Sequence, residues 1–236
     1  MPTSIADRVS GLPWTEIDAD LDAQGFALTP PVLRAGECQE LASLYENGRH
    51  RTTIDMARHR FGSGEYKYFD RPLPDAVAEL RRAFYAPLAE AANRWAGLLG
   101  EDERYPADLE AFLDRCHEAG QTRPTPLMLR YGAGDWNALH QDIYGDVHFP
   151  FQAVTLLDRP GADFEGGEFV LVEQRPRAQS RAHVLSLERG AFLIFTTQQR
   201  PVEGTRGHYR AQMRHGVSTL RSGRRTTLGL VFHDAR

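Results

Sequence analysis

The chain has 236 residues, 41% hydrophobic and 25% charged, which suits one large domain or a core with an extension, and no apolar run approaches the roughly 20 residues of a membrane span. A net charge of −4 supplies no overall pull toward nucleic acid, although between Glu173 and Arg225 eleven Arg face three Glu and no Asp or Lys. Cys38 and Cys116 lie far apart without CxxC spacing, which argues against a disulfide framework; with no charged-then-apolar stretch from Met1 to Trp14, a reducing cytosol is the expected location.

In chain order, the first half reads mainly as helix. Apolar residues at three- and four-residue spacing predict helices over Gln39 to Tyr45 and Ala76 to Leu99, the second with the stripe Val77, Leu80, Phe84, Leu88, Ala91, Ala92, Trp95 and Leu98. Pro72 and Pro74 precede that helix and Gly100 follows it, while Pro87 is expected to break or bend it. Between the helices, Arg49 to Phe69 shows little period and reads as a long polar loop of the kind that serves as a lid. Arg49, Arg51, Arg58 and Arg60 give its first part a basic character that only Asp55 opposes.

The second half changes to short β-prone runs: Leu127–Tyr131, Phe151–Leu157, Glu168–Val172, Ala191–Phe195 and Thr226–Phe232. Gly132-Ala-Gly134, Asp163 to Gly167 and Ser222-Gly223 supply turns between them. Many short strands with glycine-rich turns predict a sandwich or barrel and not a parallel sheet. The expected organisation is one domain: a helical extension with its lid loop over 1–125, and a β core over 126–236.

His140-Gln-Asp142 places an imidazole and a carboxylate at i and i+2, on one face of an extended segment. Two His and one carboxylate on one face of an octahedron leave three open positions, the arrangement of non-haem Fe(II) oxygenases. His215 is the candidate third ligand, with His183, His208 and His233 as formal alternatives. Ten residues beyond His215, at the start of the last β-prone run, Arg225 can point into the same cavity and pair its planar fork with a carboxylate. Arg224 beside it must point the other way.

The segment His215-x-Val217-x-x-Leu220-x-x-Gly223-x-Arg225 resembles the distal-histidine segment of prolyl-hydroxylase-like 2-oxoglutarate oxygenases. Phe164-Glu-Gly-Gly-Glu-Phe169 and Gly190-Ala-Phe-Leu-Ile-Phe195 resemble two further core strands of that superfamily. Leu129-Arg-Tyr131, Gly134 and Leu139-His-Gln-Asp142 resemble the nucleic-acid demethylases of the AlkB family, although Leu129 stands where that family has asparagine. Leu21-Asp-Ala-Gln-Gly-Phe26 followed by a helix looks like the usual entry to such domains. The resemblance implies an α+β fold with a double-stranded β-helix (jelly-roll) core and flanking, mainly N-terminal helices. It also implies a dioxygenase using Fe(II), 2-oxoglutarate and O₂, with ascorbate as reductant in assays, and with Arg225 and Tyr131 on the cosubstrate.

Two substrate classes follow. Single-stranded or damaged nucleic acid, and hence a role in DNA repair, is favoured by the AlkB-like strand and the basic loop. There Arg58 and Arg60 would meet phosphates, Tyr66 and Tyr68 would stack on a base, and Asn137 would face the cavity. Protein (prolyl-type) or amino-acid hydroxylation is favoured by the EGGEF and His-to-Arg segments. A non-enzymatic cupin-like module needs no open metal positions, which the triad and its cationic neighbour argue against.

Overall fold

Successive side chains on a strand face opposite ways, so a strand buried on both faces must carry apolar residues without a break. Two runs of this kind form the spine of the computed structural model, which describes residues 3–143 and 145–236; Met1, Pro2 and Tyr144 lie outside the described residues. The chain opens with α1 (Ile5–Ser10), α2 (Trp14–Gln24), β1 (Phe26–Pro31) and α3 (Ala35–Asn47). It continues through β2 (His50–Asp55), α4 (Met56–His59), β3 (Gly62–Ser63), β4 (Glu65–Phe69), α5 (Asp75–Leu98) and α6 (Leu109–Glu118). Strands follow: β5 (Leu127–Gly132), β6 (Trp136–His140), β7 (Phe151–Leu156), β8 (Phe164–Gly166) and β9 (Phe169–Gln174). The last are β10 (Arg181–Leu185), β11 (Ala191–Thr196), β12 (Gln199–Gly204), β13 (Gly207–Val217) and β14 (Leu220–Val231).

The larger, eight-stranded sheet has the order β1-β11-β7-β14-β5-β4-β2, with β8 paired to β14; the smaller, six-stranded sheet runs β10-β9-β13-β6-β3, with β12 paired to β13. Neighbouring strands are antiparallel, and together the two sheets make the jelly roll that the sequence leads one to expect. β7 and β11 are buried along their whole length. On β11, Phe192 and Ile194 pack with the helices, while Leu193 and Phe195 turn to the space between the sheets. None of the described helices is long and apolar enough to cross a membrane.

Helix α5 covers the outer face of the larger sheet, with Phe84 against Phe192 at 4.6 Å and Trp95 against Phe151 at 4.7 Å between ring centres. It runs unbroken through Pro87, so of the expected break or bend the break does not occur. A proline in a helix interior costs about 3 kcal/mol. Burial of each large side chain on the stripe returns about 1.5–3 kcal/mol, and Val77, Leu80, Phe84, Leu88 and Trp95 are all buried.

The expected lid loop is also different in the structure. Residues from Arg49 to Phe69 form β2, α4, β3 and β4, and β4 continues the larger sheet beside β5, with Tyr66 opposite Leu129 and Tyr68 opposite Leu127. β3 joins the smaller sheet through Gly62 opposite Asn137. The core therefore draws β1, β2, β3 and β4 from before residue 126. β2 and β4 escape a sequence reading because most of their side chains are half-buried or polar, so no clean alternation marks them.

Candidate active site

β6 and β13 are neighbours, and their register sets His140 directly opposite His215. The imidazole centres are 4.2 Å apart. Asp142, two residues past the end of the strand, brings one oxygen to 3.5 Å from His140 Nε2 and the other to 3.3 Å from His215 Nε2. One ligand atom from each of the three lies within 4.8 Å of the others, and among the described residues this is the only such group of His, Cys, Asp or Glu. Two nitrogens and one oxygen at this spacing could hold a divalent metal, and the donor set suits Fe(II).

The surroundings prepare these groups. His140 Nδ1 lies 2.7 Å from the carbonyl of Ala138, which assigns the ring proton to Nδ1 and leaves the Nε2 lone pair facing inward. Burial, and then the neighbouring His215, holds His140 below the usual imidazole range, while Asp142 pulls the other way. Gln152, on β7, donates from Nε2 to Asp142 Oδ2 at 2.9 Å. Gln141, between the two candidate ligands, ties the loop down by donating to the carbonyls of Gln198 and Met213, each at 2.9 Å. Phe169 stacks on His215 at 5.8 Å and Phe195 leans on it at 4.7 Å. His215 Nδ1 is buried without a hydrogen-bond partner.

Arg225 projects from β14 opposite Tyr131 and is 2% exposed, whereas Arg224 faces solvent. Its guanidinium sits 5.6 Å from the centre of the Tyr131 ring, and burial depresses its pKa. Among the described residues no carboxylate is in ion-pair contact with Arg225. A buried cation is costly unless an anion meets it. The Tyr131 hydroxyl is likewise buried, with the Asn137 side chain facing it, and burial pushes it up to about 12. The double glycine of Phe164 to Phe169 makes this possible. Gly167 has φ +64°, and an added Cβ there would lie 2.9 Å from Arg225 Cδ and 2.8 Å from Leu220. Gly223, at φ +78°, sits where a side chain would run into the carbonyl of Asp163.

A cavity of about 380 Å³ joins these parts. His140, Asp142, His215, Arg225 and Tyr131 line it together with Asn137, Tyr66, Tyr68 and Arg60. Burial, then the charge of Asp142, raises the pKa of Tyr66. Phe61, 48% exposed, also lines it, and Arg60 is exposed beside it. Arg58 does not reach the cavity: it points to solvent from α4 and pairs with Asp55 at 3.3 Å, one turn back. His233 is buried and accepts from the backbone N–H of Phe149 at 3.2 Å, and it is not one of the three clustered groups. Sequence reasoning passed over Gln152 and Gly167. The available signal for Gln152 was a long amide in the middle of an apolar, doubly buried strand.

The family described as Oxygenase-NA, "oxygenase, catalysing oxidative methylation of damaged DNA", matches residues 64–235. Two uncharacterised proteins from strains of Mycobacterium tuberculosis are each 50% identical over 167 residues, which is 71% of this chain and 72% of theirs. Among solved structures, a prolyl-4-hydroxylase from Pseudomonas putida is similar with a TM-score of 0.54 and 15% identity, over 94% of this chain and 99% of that one. An oxidoreductase of the 2OG-Fe(II) oxygenase family from Burkholderia pseudomallei is similar with a TM-score of 0.54 and 18% identity, over 100% and 94% of the two chains. At these identities the structural likeness is one of fold.

Proposed function

The chain belongs to the Oxygenase-NA family, within the 2-oxoglutarate dioxygenase superfamily, and on that premise we propose that it oxidises damaged nucleic acid, removing an N-linked methyl group from a base held against His140, Asp142 and His215. The observation that carries this reading is that one cavity joins the triad and Arg225 to the aromatic and basic side chains Tyr66, Tyr68 and Arg60.

Fe(II) with 2-oxoglutarate and O₂ supplies C–H oxidation when bound, and hydroxylation of an N-methyl group releases formaldehyde. The protein's part is geometry, charge and exclusion of water. His140, Asp142 and His215 would hold the metal, with Gln152 keeping the carboxylate turned toward both imidazoles. The buried Arg225 and the Tyr131 hydroxyl fit the far carboxylate of 2-oxoglutarate, since no carboxylate among the described residues pairs with Arg225 and both residues line the cavity. Phe169 and Phe195 shield the rear of His215. Tyr66 and Tyr68, standing edge to face at 5.5 Å, offer aromatic faces to an extruded base. Hydroxylation of proline or of an amino acid draws support from the shared fold and from nothing more specific in the cavity.

The test is succinate release with Fe(II), 2-oxoglutarate and ascorbate over a panel of N-methylated oligonucleotides and proline-containing peptides. Turnover coupled to methylated oligonucleotides, with formaldehyde in equal amount, is the expected result. Stimulation by peptides alone would overturn the reading.

A further inference from the structure

A second hollow of about 620 Å³ shares a wall with the catalytic cavity. The shared wall is Tyr66 and Tyr68, which line both. On the far side of that wall stand Arg51, Arg71 and Arg123, with Asp70 as the single acidic residue of the lining. The location follows from topology. β4 and β2 extend the larger sheet past β5, and the face that carries Tyr66 and Tyr68 continues there toward the β2 edge. The segment 122–124 closes the other side, held by the reciprocal backbone bonds between Arg123 and Ala235 at 2.9 and 2.8 Å.

The charge in this groove is positive and mostly uncommitted. Asp70 is already paired with Arg49 at 2.9 Å. Arg71 shares its charge with the buried carboxylate of Asp234 at 2.5 Å. Arg51, which lines the groove, donates from Nε to the carbonyl of Pro124 at 3.0 Å and lays its guanidinium 4.4 Å over the Tyr68 ring, so its position is set. Arg123 is exposed. Among the described residues neither Arg51 nor Arg123 is in ion-pair contact with a carboxylate. Cations interleaved with aromatic faces are the pattern of a single-strand nucleic-acid track: the charges follow the backbone, and the rings take bases that no partner strand covers. A duplex would hide those base faces, and an acidic peptide would leave the tyrosines unused.

We propose that this groove carries the sugar-phosphate backbone of a single strand beside the damaged nucleotide, with Arg51 and Arg123 on successive phosphates along the wall that Tyr66 and Tyr68 form. The proposal rests on the reading of the neighbouring cavity as a damaged-base site. It places the strand on β2, β4 and the segment 122–124, and not along Arg58 on the outside of α4.

Two measurements separate the groove from that reading. The first is anisotropy of a labelled, unmodified thymidine oligonucleotide of about 12 residues, long enough to fill such a track. The second is formaldehyde release from an N-methylated nucleoside, which cannot reach the groove, and from the same base within an oligonucleotide. Arg123→Glu on the surface and Arg51→Gln, which keeps a donor, are the variants, with melting temperatures compared to the parent. The expected result is a loss of oligonucleotide affinity of about 10-fold or more, and a log–log salt dependence shallower by about 0.7 for each arginine removed. Turnover of the methylated oligonucleotide should fall in parallel while that of the nucleoside holds. Unchanged oligonucleotide binding in both folded variants overturns the groove, and so does a parent protein that binds no oligonucleotide at low salt. Nucleoside turnover that persists in that case leaves the damaged-base reading standing. Loss of binding in the variants with no turnover of any methylated substrate by the parent supports the groove and removes the reading it adjoins.

Discussion

Gln152 donates to Asp142 at 2.9 Å and the Ala138 carbonyl meets His140 Nδ1 at 2.7 Å, so two of the three proposed ligands are aimed by neighbours that never touch a metal. Replacing Gln152 with Leu keeps the volume and removes the donor. Fe(II) affinity should then fall about 10- to 100-fold, the usual effect of losing such a partner, as read by anaerobic metal titration. Asp142→Ala removes the one anionic member of the set and should abolish turnover. Arg225 and Arg224 form a built-in pair of opposites, one 2% exposed and lining the cavity, the other in solvent. Arg225→Ala should weaken 2-oxoglutarate by some 2–5 kcal/mol, the penalty for unpairing a buried charge, while Arg224→Ala should change it little. Calorimetric titration of 2-oxoglutarate checks both, and a reversed order would mean that Arg224 carries the carboxylate.

At the scale of elements, α5 is what presses the larger sheet into shape. Phe84 is fully buried between Trp14 and Phe192, with ring centres 6.1 and 4.6 Å away. Phe84→Ala should cost about 3–5 kcal/mol by transfer and cavity terms together, measured as a shift in the denaturation midpoint at constant slope. This helix was legible in the sequence, because a stripe repeating every three or four residues is a property of the local chain. Pro87 does not break the helix, since its local cost is outweighed by burial along the rest of the stripe. The segment from Arg49 to Phe69 misled the reading. Thr52, Thr53, Ile54, Tyr66 and Tyr68 are good strand formers, but their partners are each other and β5, some 60 residues away in sequence at Tyr66 and Leu129. Only the assembled sheet makes them strands.

For the whole molecule, acid should be the weak side. His233, at the foot of β14, is fully enclosed, accepts from the Phe149 N–H, and is lowered by burial to about 4. The unfolded chain takes up that proton near the ordinary imidazole value of about 6.5, the folded chain only near 4. Stability from this group is therefore complete above the unfolded value and is lost as pH falls from about 6.5 toward 4, by up to about 3 kcal/mol. Urea denaturation across that window should show the decline, and His233→Asn should flatten it; an equal slope in the variant would assign the decline to other groups. By itself the sequence determined the β-rich second half, the long helix and a short set of candidate metal and anion-binding residues. Each of these is written in spacing: two residues along a strand, ten from His215 to Arg225, three or four around a helix. The tertiary structure alone decided that Gln152 steadies Asp142, that Gly167 makes room for Arg225, and that Tyr66 and Tyr68 divide the candidate active-site cavity from a basic groove. Those relations join residues from different strands, and the pairing of distant strands is set by how two sheets and a helix share one core, which no local preference records.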